Sequence, residues 1–574
     1  MPRAIRGYKI FVAALAAASA LGGSPPRAAE PAASPTALPK DVETAMKTIS
    51  SGRIRAHMRH LSNDLMEGRG TGERGGELAA DYIATILQLS GLWPGGPGGG
   101  SYMQRVPLVG VHTQPESTLT FAGPQVPALE YRKDFVLWSE TQQPLVDSAG
   151  DLVFVGYGAV APEFKWDDYK GQDVTGKVLL MLVNDPPAED PAFFGGKGLT
   201  YYGRWTYKFE IAARKGAVGA LLIHTDQSAG YGWEVVRNSW ARERAFNELD
   251  PKAPAPLKQA GWLTEAAARQ ILQAGGQDFD ALRAASAKPD FKPVPLGVAS
   301  KAHVVSTIRK LDTANVIGYV PGTDEALKGE AIVVTAHYDH LGLGEPDETG
   351  DRIYNGAYDN ASGVATMLEI ARAFRLATVK PRRSIVFIAA AAEEQGLRGS
   401  EYYAAHPSFA PGKIAANFNL DGVSVLGATK DMTFLGGDRS TLKEYIAEAA
   451  KEFGFSVTPD AHPEQGFFYR SDHFNFAKIG VPSVSIEHGQ TFDGKDPGWG
   501  EQQWKEYNEK RYHRPSDEYQ QGWDLAGAEK TAMIVFYLAY RVSGADAMPT
   551  WNSGDEFAAA RAAALKAAGT AASQ

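Results

Sequence analysis

Short, nearly uninterrupted apolar runs punctuate the second half of the chain. Ile332–Ala336, Ser384–Ala389, Ile414–Leu420 and Val481–Ile486 have the texture of strands buried on both faces. Helical periodicity fills several of the gaps. In Ala361–Phe374, the side chains of Val364, Met367, Leu368, Ala371 and Phe374 fall on one side. The alternation predicts an α/β sheet sandwiched by helices. The first half reads differently. From about 42 to 92 the pattern is helical, with Ala79, Ile83, Ile86 and Leu87 on one face and a stop at Gly91 before Pro94. From 113 to 305, short β-like runs such as Leu152–Val155 and Val178–Leu182 alternate with Gly and Pro turns. One amphipathic helix near Phe209–Arg214 precedes the apolar run Ala220–Ile223. The expected organisation is a main domain in two parts, 45–112 and 306–545, around a β-rich insert at 113–305. Residues 546–574 form an Ala-rich tail, helical or frayed.

The N-terminus carries Arg3, Arg6 and Lys9, then the apolar stretch Ile10–Leu21, then small residues and prolines. That is the order of a secretory signal, and the apolar stretch is too short for a permanent membrane anchor. A signal peptide is expected at 1–28 and a Pro/Ala/Ser linker at 29–44, so the mature protein is expected to be exported, periplasmic or extracellular. The 574 residues, 44% apolar and 22% charged, are those of a multidomain globular chain. A net charge of −9 argues against a nucleic-acid partner. The absence of cysteine excludes disulfides, thiolate zinc sites and cysteine nucleophiles.

Chemically rich residues sit just past the apolar runs. Ile332–Ala336 leads into His337-Tyr338-Asp339, Ser384–Ala389 into Glu393-Glu394, and Ile414–Leu420 into Asp421. The crevice beyond the carboxyl ends of strands is where open α/β sheets bind ligands. Asp359-Asn360 opens the next helix, and Tyr512-His513-Arg514-Pro515-Ser516-Asp517 is a polar loop. Two histidines and three carboxylates suit a pair of zinc ions sharing a bridging carboxylate and a water, with one further carboxylate to take the water's proton. Glu393-Glu394 supplies one ligand and one base. Asp339 is placed to accept the second ring N–H of His337, and Asp517 is a candidate to orient His513. His340, His473 and His488 read as structural or as supports behind the ligands, and Ser471 lacks the partners of a serine hydrolase.

These stretches resemble the co-catalytic di-zinc aminopeptidase family, whose fold recurs in glutamate carboxypeptidase, glutaminyl cyclase and the transferrin receptor. They are MEGRGTG (66–72), AHYDHLG (336–342), GAYDNASGVA (356–365), AAEEQGLRGS (391–400), NLDGV (419–423), YRSDHFNF (469–476), GVPSVSI (480–486) and YHRPSD (512–517). The resemblance implies a mixed central sheet and two zinc ions. His337 and Asp421 hold one ion, Glu394 and His513 the other, and Asp359 bridges. Glu393 is then the general base, Tyr512 a donor to the oxyanion, and Arg470 a contact to a substrate carbonyl or carboxylate. Residues 156–185 and 213–225 of the insert look like a protease-associated domain, which narrows the cleft or acts as a spacer. The implied activity is release of N-terminal residues from peptides with a free N-terminus. A di-zinc carboxypeptidase, a non-catalytic binding protein of the same fold and a glutaminyl cyclase are the alternatives.

Overall fold

The run Ala331–His337 is a strand without an exposed residue in the computed structural model, which describes residues 37–571 apart from 123–127, 191, 230–231 and 241. Its burial has a simple cause. Ile332, Val334 and Ala336 point to one core, while Ala331 and Val333 point to another on the opposite face. Helices Ser51–Leu61, Ser362–Leu376 and Ala526–Gly544 cover the first face through residues such as Met58, Phe374 and Leu538. Helices Arg398–Ala405 and His473–Lys478 cover the second through Tyr403 and Phe476. The sandwiched α/β arrangement follows from strands that are apolar on both sides.

The strand order creates the site. Ala331–His337 pairs in parallel with Ser384–Ala390 on one side and with Ile414–Asn419 on the other. Ile414–Asn419 pairs in parallel with Ser483–His488, and Asp431–Leu435 adds to that strand in antiparallel sense. The chain therefore leaves the central strand in one direction and later returns to its other flank. The carboxyl ends part at that reversal, and a crevice opens beside His337.

The insert is less β-rich than its turn-laden sequence suggests. Leu145–Phe154, Val178–Leu182, Gly219–His224 and Gln259–Thr264 form a parallel sheet, with Phe135–Trp138 antiparallel at its edge. Helices Trp205–Arg214 and Trp233–Trp240 cover one face, and Glu265–Ala274 and Phe279–Ser286 the other. The first of these contains the helix expected near Phe209–Arg214, and the other three were obscured because their apolar stripes are short and flanked by Gly and Pro. The insert and the main sheet are joined by one long strand, Val294–Val320. It pairs with the insert up to Val305, opposite Leu145, and with Met103–Thr113 from Ser306, opposite Thr113. Its last residues, Val316–Val320, pair with Ile385–Ala389 of the main sheet.

The N-terminal end departs from expectation, and the C-terminal tail takes the helical one of its two expected forms. The signal segment at 1–28 and the first half of the linker lie outside the described residues. Helix Lys40–Met46, however, begins within the expected linker and buries Val42, Ala45 and Met46. The Ala-rich tail is a docked helix, Ala558–Ala571, where small residues permit close approach. A Cβ on Gly412 would lie 2.2 Å from the carbonyl oxygen of Ala564, and one on Gly480 would lie 2.4 Å from the amide nitrogen of Arg561. Arg439 is clamped at 2.8 Å by Asp555 and at 2.7 Å by Glu556, just before that helix. Deleting residues 552–574 strands this largely buried guanidinium. It is expected to cost about 3–5 kcal/mol from the lost pairing alone, read as a lower urea or thermal midpoint. An unchanged midpoint would show that the tail is dispensable.

Candidate metal centre

Five of the expected side chains converge at the crevice. His337 ends the central strand, with Nε2 3.1 Å from Asp421 Oδ1 and 3.3 Å from Asp359 Oδ1. His513, on the loop after helix Trp499–Lys510, places Nε2 3.3 Å from Asp359 Oδ2 and 3.2 Å from Glu394 Oε2. Asp359 thus stands between the two imidazoles, one oxygen to each. Among the described residues, two three-donor groups have their donor atoms within 4.8 Å of one another: His337, Asp359 and Asp421, and His340, Asp359 and Glu394. His340 enters through a 2.7 Å contact from Nδ1 to Glu394 Oε1.

The electrostatics fit cations at this spot. An imidazole nitrogen facing two carboxylate oxygens needs a positive charge between them, either a proton or a metal. Burial disfavours protonated His337, yet the carboxylates of Asp421, Glu393 and Asp359 outweigh it and raise its pKa well above the usual value. Burial also opposes protonation of His513, and Glu394 with Asp359 raises it likewise. Burial pushes against ionised Asp359, but the His337 and His513 rings hold its carboxyl well below the ordinary range. Glu394, also against burial, is drawn down to about 2 by His513 and His340. Imidazole nitrogen and carboxylate oxygen form a donor set for zinc, which would replace the protons. Glu393 behaves oppositely. Desolvation, reinforced by Glu394, Asp421 and Asp472, raises its pKa well above the carboxylate norm despite the His337 ring. That favours its protonated form, the opposite of the shifts at Asp359 and Glu394.

The supporting residues act mainly through the backbone. The Asp339 carboxylate accepts the N–H of Glu393 at 3.0 Å, that of Glu394 at 3.3 Å and the Thr71 hydroxyl at 3.2 Å. The Nδ1 of His337 lies closer to the main-chain carbonyl of Asp339, at 3.2 Å, than to its carboxylate, at 3.8 Å. Asp339 therefore aims the Glu393-Glu394 pair, and its carbonyl faces the imidazole. Asp517 does not meet His513 either. Its carboxylate accepts the N–H groups of Tyr358 and Asp359, both at 3.1 Å. Asn360 ties the Asp359 loop to the Asp421 loop, donating to the Leu420 carbonyl and accepting from Gly363 and Gly422. Tyr512 stacks on the His513 ring at 3.9 Å and is 46% exposed. Desolvation and the carboxylates of Asp359, Glu394, Glu393 and Asp421 hold its phenol well above the usual pKa. Arg470 is exposed, its guanidinium 5.2 Å over the Phe467 ring, so it is not among the buried donors.

The sequence reading gave Arg69 and Asn360 no role of their own, and it left His340 as structural or as a support behind the ligands. Arg69 is wholly buried and donates to the carbonyls of Tyr338, Leu61, Asn355 and Gly356 at 2.6–2.9 Å. Its hydrogen-bond acceptors are carbonyls, so no acidic partner in the sequence advertises it. The GRG context of residues 68–70 was the available signal, since a Cβ at Gly68 would lie 2.5 Å from the carbonyls of Gly342 and Tyr354.

Comparison with known proteins agrees with this chemistry. Residues 315–539 match the model described as Peptidase family M28. The chain is 32% identical over 195 residues to Aminopeptidase YwaD of Bacillus subtilis (strain 168), covering 33% of this chain and 36% of that protein. It is 47% identical over 85 residues to a probable zinc metalloprotease of Pyrenophora tritici-repentis (strain Pt-1C-BFP), covering 15% of this chain and 19% of the other. The chain therefore spans about a third or less of the length of these curated relatives. Among solved structures, the aminopeptidase from Aneurinibacillus sp. strain AM-1 aligns at 19% identity with a TM-score of 0.43, over 89% of this chain and 97% of that one.

The Arg69 cradle yields a direct test. Arg69→Met keeps the apolar stem but leaves the buried carbonyls of Tyr338, Leu61 and Asn355 without that donor, whereas Gly356 keeps the Ala361 N–H at 3.2 Å. At about 1–3 kcal/mol for each buried group left unpaired, the variant is expected to lose at least about 3 kcal/mol of stability in urea. A wild-type midpoint would contradict the role assigned to those bonds.

Proposed function

We infer that this chain, whose residues 315–539 belong to Peptidase family M28, is an exported zinc-dependent aminopeptidase that holds two zinc ions and removes N-terminal residues from peptides. The observation that carries the reading is Asp359 standing between His337 and His513, one carboxylate oxygen toward each, with Glu393 beside them and free to move a proton. His337 and Asp421 are the residues for one ion, Glu394 and His513 for the other, with Asp359 common to both. Zinc held there supplies a Lewis acid for the scissile carbonyl and acidifies the attacking water.

The remaining chemistry belongs to the side chains. The Glu393 carboxylate accepts a proton from water as its oxygen adds to the peptide carbon. It then delivers that proton to the leaving nitrogen as the C–N bond breaks. The Tyr512 hydroxyl donates to the oxyanion formed in between, and its stacking on His513 fixes the ring that carries it. The surplus of carboxylates draws in the substrate's α-ammonium. Export rests on the signal-like pattern of residues 1–28. No helix among the described residues is long and apolar enough to cross a membrane.

One observation favours a carboxypeptidase as the second reading. Strand Arg244–Asn247 of the insert reaches the loop after Glu393-Glu394, where Ala245 N–H donates to Gln395 at 3.2 Å. The Arg244 guanidinium sits over the Trp240 ring and is electrostatically coupled to Glu394 and Glu393. A cation there suits a terminal carboxylate.

Aminoacyl anilides, N-blocked peptides and C-amidated peptides separate the two. Turnover of anilides and amidated peptides, lost on N-blocking, is expected. Cleavage of N-blocked peptides with a free carboxylate would instead select the carboxypeptidase. Glu393→Gln is expected to lower turnover about 10²–10⁴-fold while zinc content stays at the wild-type level. Turnover persisting in that variant would remove Glu393 from the base role. Chelation is expected to abolish activity, and added zinc to restore it.

A further inference from the structure

His340 has no part in the reading above, and its surroundings are unusual. The side chain is wholly buried beside the crevice. Its backbone N–H donates to the Arg69 carbonyl at 3.2 Å. A Cβ on Gly356 would lie 2.5 Å from its Cγ, so glycine at 356 leaves the ring its space. The imidazole makes one polar contact among the described residues, 2.7 Å from Nδ1 to Glu394 Oε1, and its Nε2 is buried with no partner there. The other oxygen of Glu394, Oε2, faces His513 Nε2 at 3.2 Å.

A carboxylate only accepts, so the proton of the short contact belongs to Nδ1 of His340. That fixes the tautomer and occupies one of the two carboxylate oxygens. His513 hydrogen-bonds Glu394 and also reaches Asp359 at 3.3 Å, as a ligand shared with the bridging residue would. The His340 ring bonds Glu394 alone. We propose that His340 is a positioning residue for the second zinc: its Nδ1–H holds Glu394 Oε1 and presents Oε2, as a single oxygen, to the ion beside His513. The inference rests on the two-zinc reading and deepens it. Partners that hold a ligating carboxylate typically change metal affinity about 10–100-fold when lost.

The test is zinc affinity of the full chain, read by metal analysis after equilibration against graded chelator, on wild type and on His340→Asn, His340→Gln and His340→Leu. The Asn amide puts a donor where Nδ1 stood, whereas the Gln amide sits near Nε2. The wild type is expected to hold two ions. The Leu and Gln variants are expected to bind one of them about 10–100-fold more weakly with the other unchanged, and Asn to restore most of the loss. The Gln–Asn comparison stands even where the Leu variant fails to fold. Wild-type affinity for both ions in Leu or Gln would overturn the proposal. Loss of an ion in Asn as complete as in Gln would overturn it in favour of the ring as a direct ligand. A wild type holding fewer than two ions would overturn the two-zinc reading and this inference with it.

Discussion

Asp359 carries more of this architecture than any other residue. A carboxylate 8% exposed, with one oxygen toward His337 and the other toward His513, is costly unless positive charge shares the space. The nearby structure holds it there. Asp517 grips its backbone N–H, Asn360 ties its loop to the strand end that bears Asp421, and Arg69 binds the carbonyls of Asn355 and Gly356 just upstream. The concentration of negative charge is at once the destabilising element of the fold and the source of its appetite for cations.

The scaffold makes that concentration tolerable by spreading its supports over separate elements. His337, Glu394 and Asp421 hang from three neighbouring parallel strands whose packing is settled by apolar contacts far from the charges. The polar cluster therefore does not have to stabilise the sheet, and the sheet keeps the donors apart by the spacing of its strands. Glu393 gains its high proton affinity from the same placement, itself desolvated and next to the Glu394 carboxylate.

Much of this was legible in the sequence, for an identifiable reason. Apolar runs buried on both faces leave few places for charge except their ends, so His337, Glu393, Glu394 and Asp421 stood out. Asp359 and His513 were visible as polar residues in glycine- or proline-bearing loops. Roles exercised through main-chain groups were not legible. Asp339 and Asp517 hold N–H groups, and Arg69 holds carbonyls, and such partners leave no mark on the residue type opposite. The sequence could not name the partner of His340, because Glu394 arrives from another strand. The docking of the tail helix was hidden by composition: glycines at 412 and 480 that look permissive in sequence are its close-contact residues in space.

The strand Val294–Val320 has a mechanical consequence. It is hydrogen-bonded to the insert along its first half and to the main sheet along its second, so one continuous beam crosses from one lobe to the other. Two-lobed proteins commonly close by rotating about a flexible hinge, which requires a few residues free of ladder bonds. This crossing has no such gap. Any change in the angle between the two lobes would therefore have to break or bend ladder bonds of this strand.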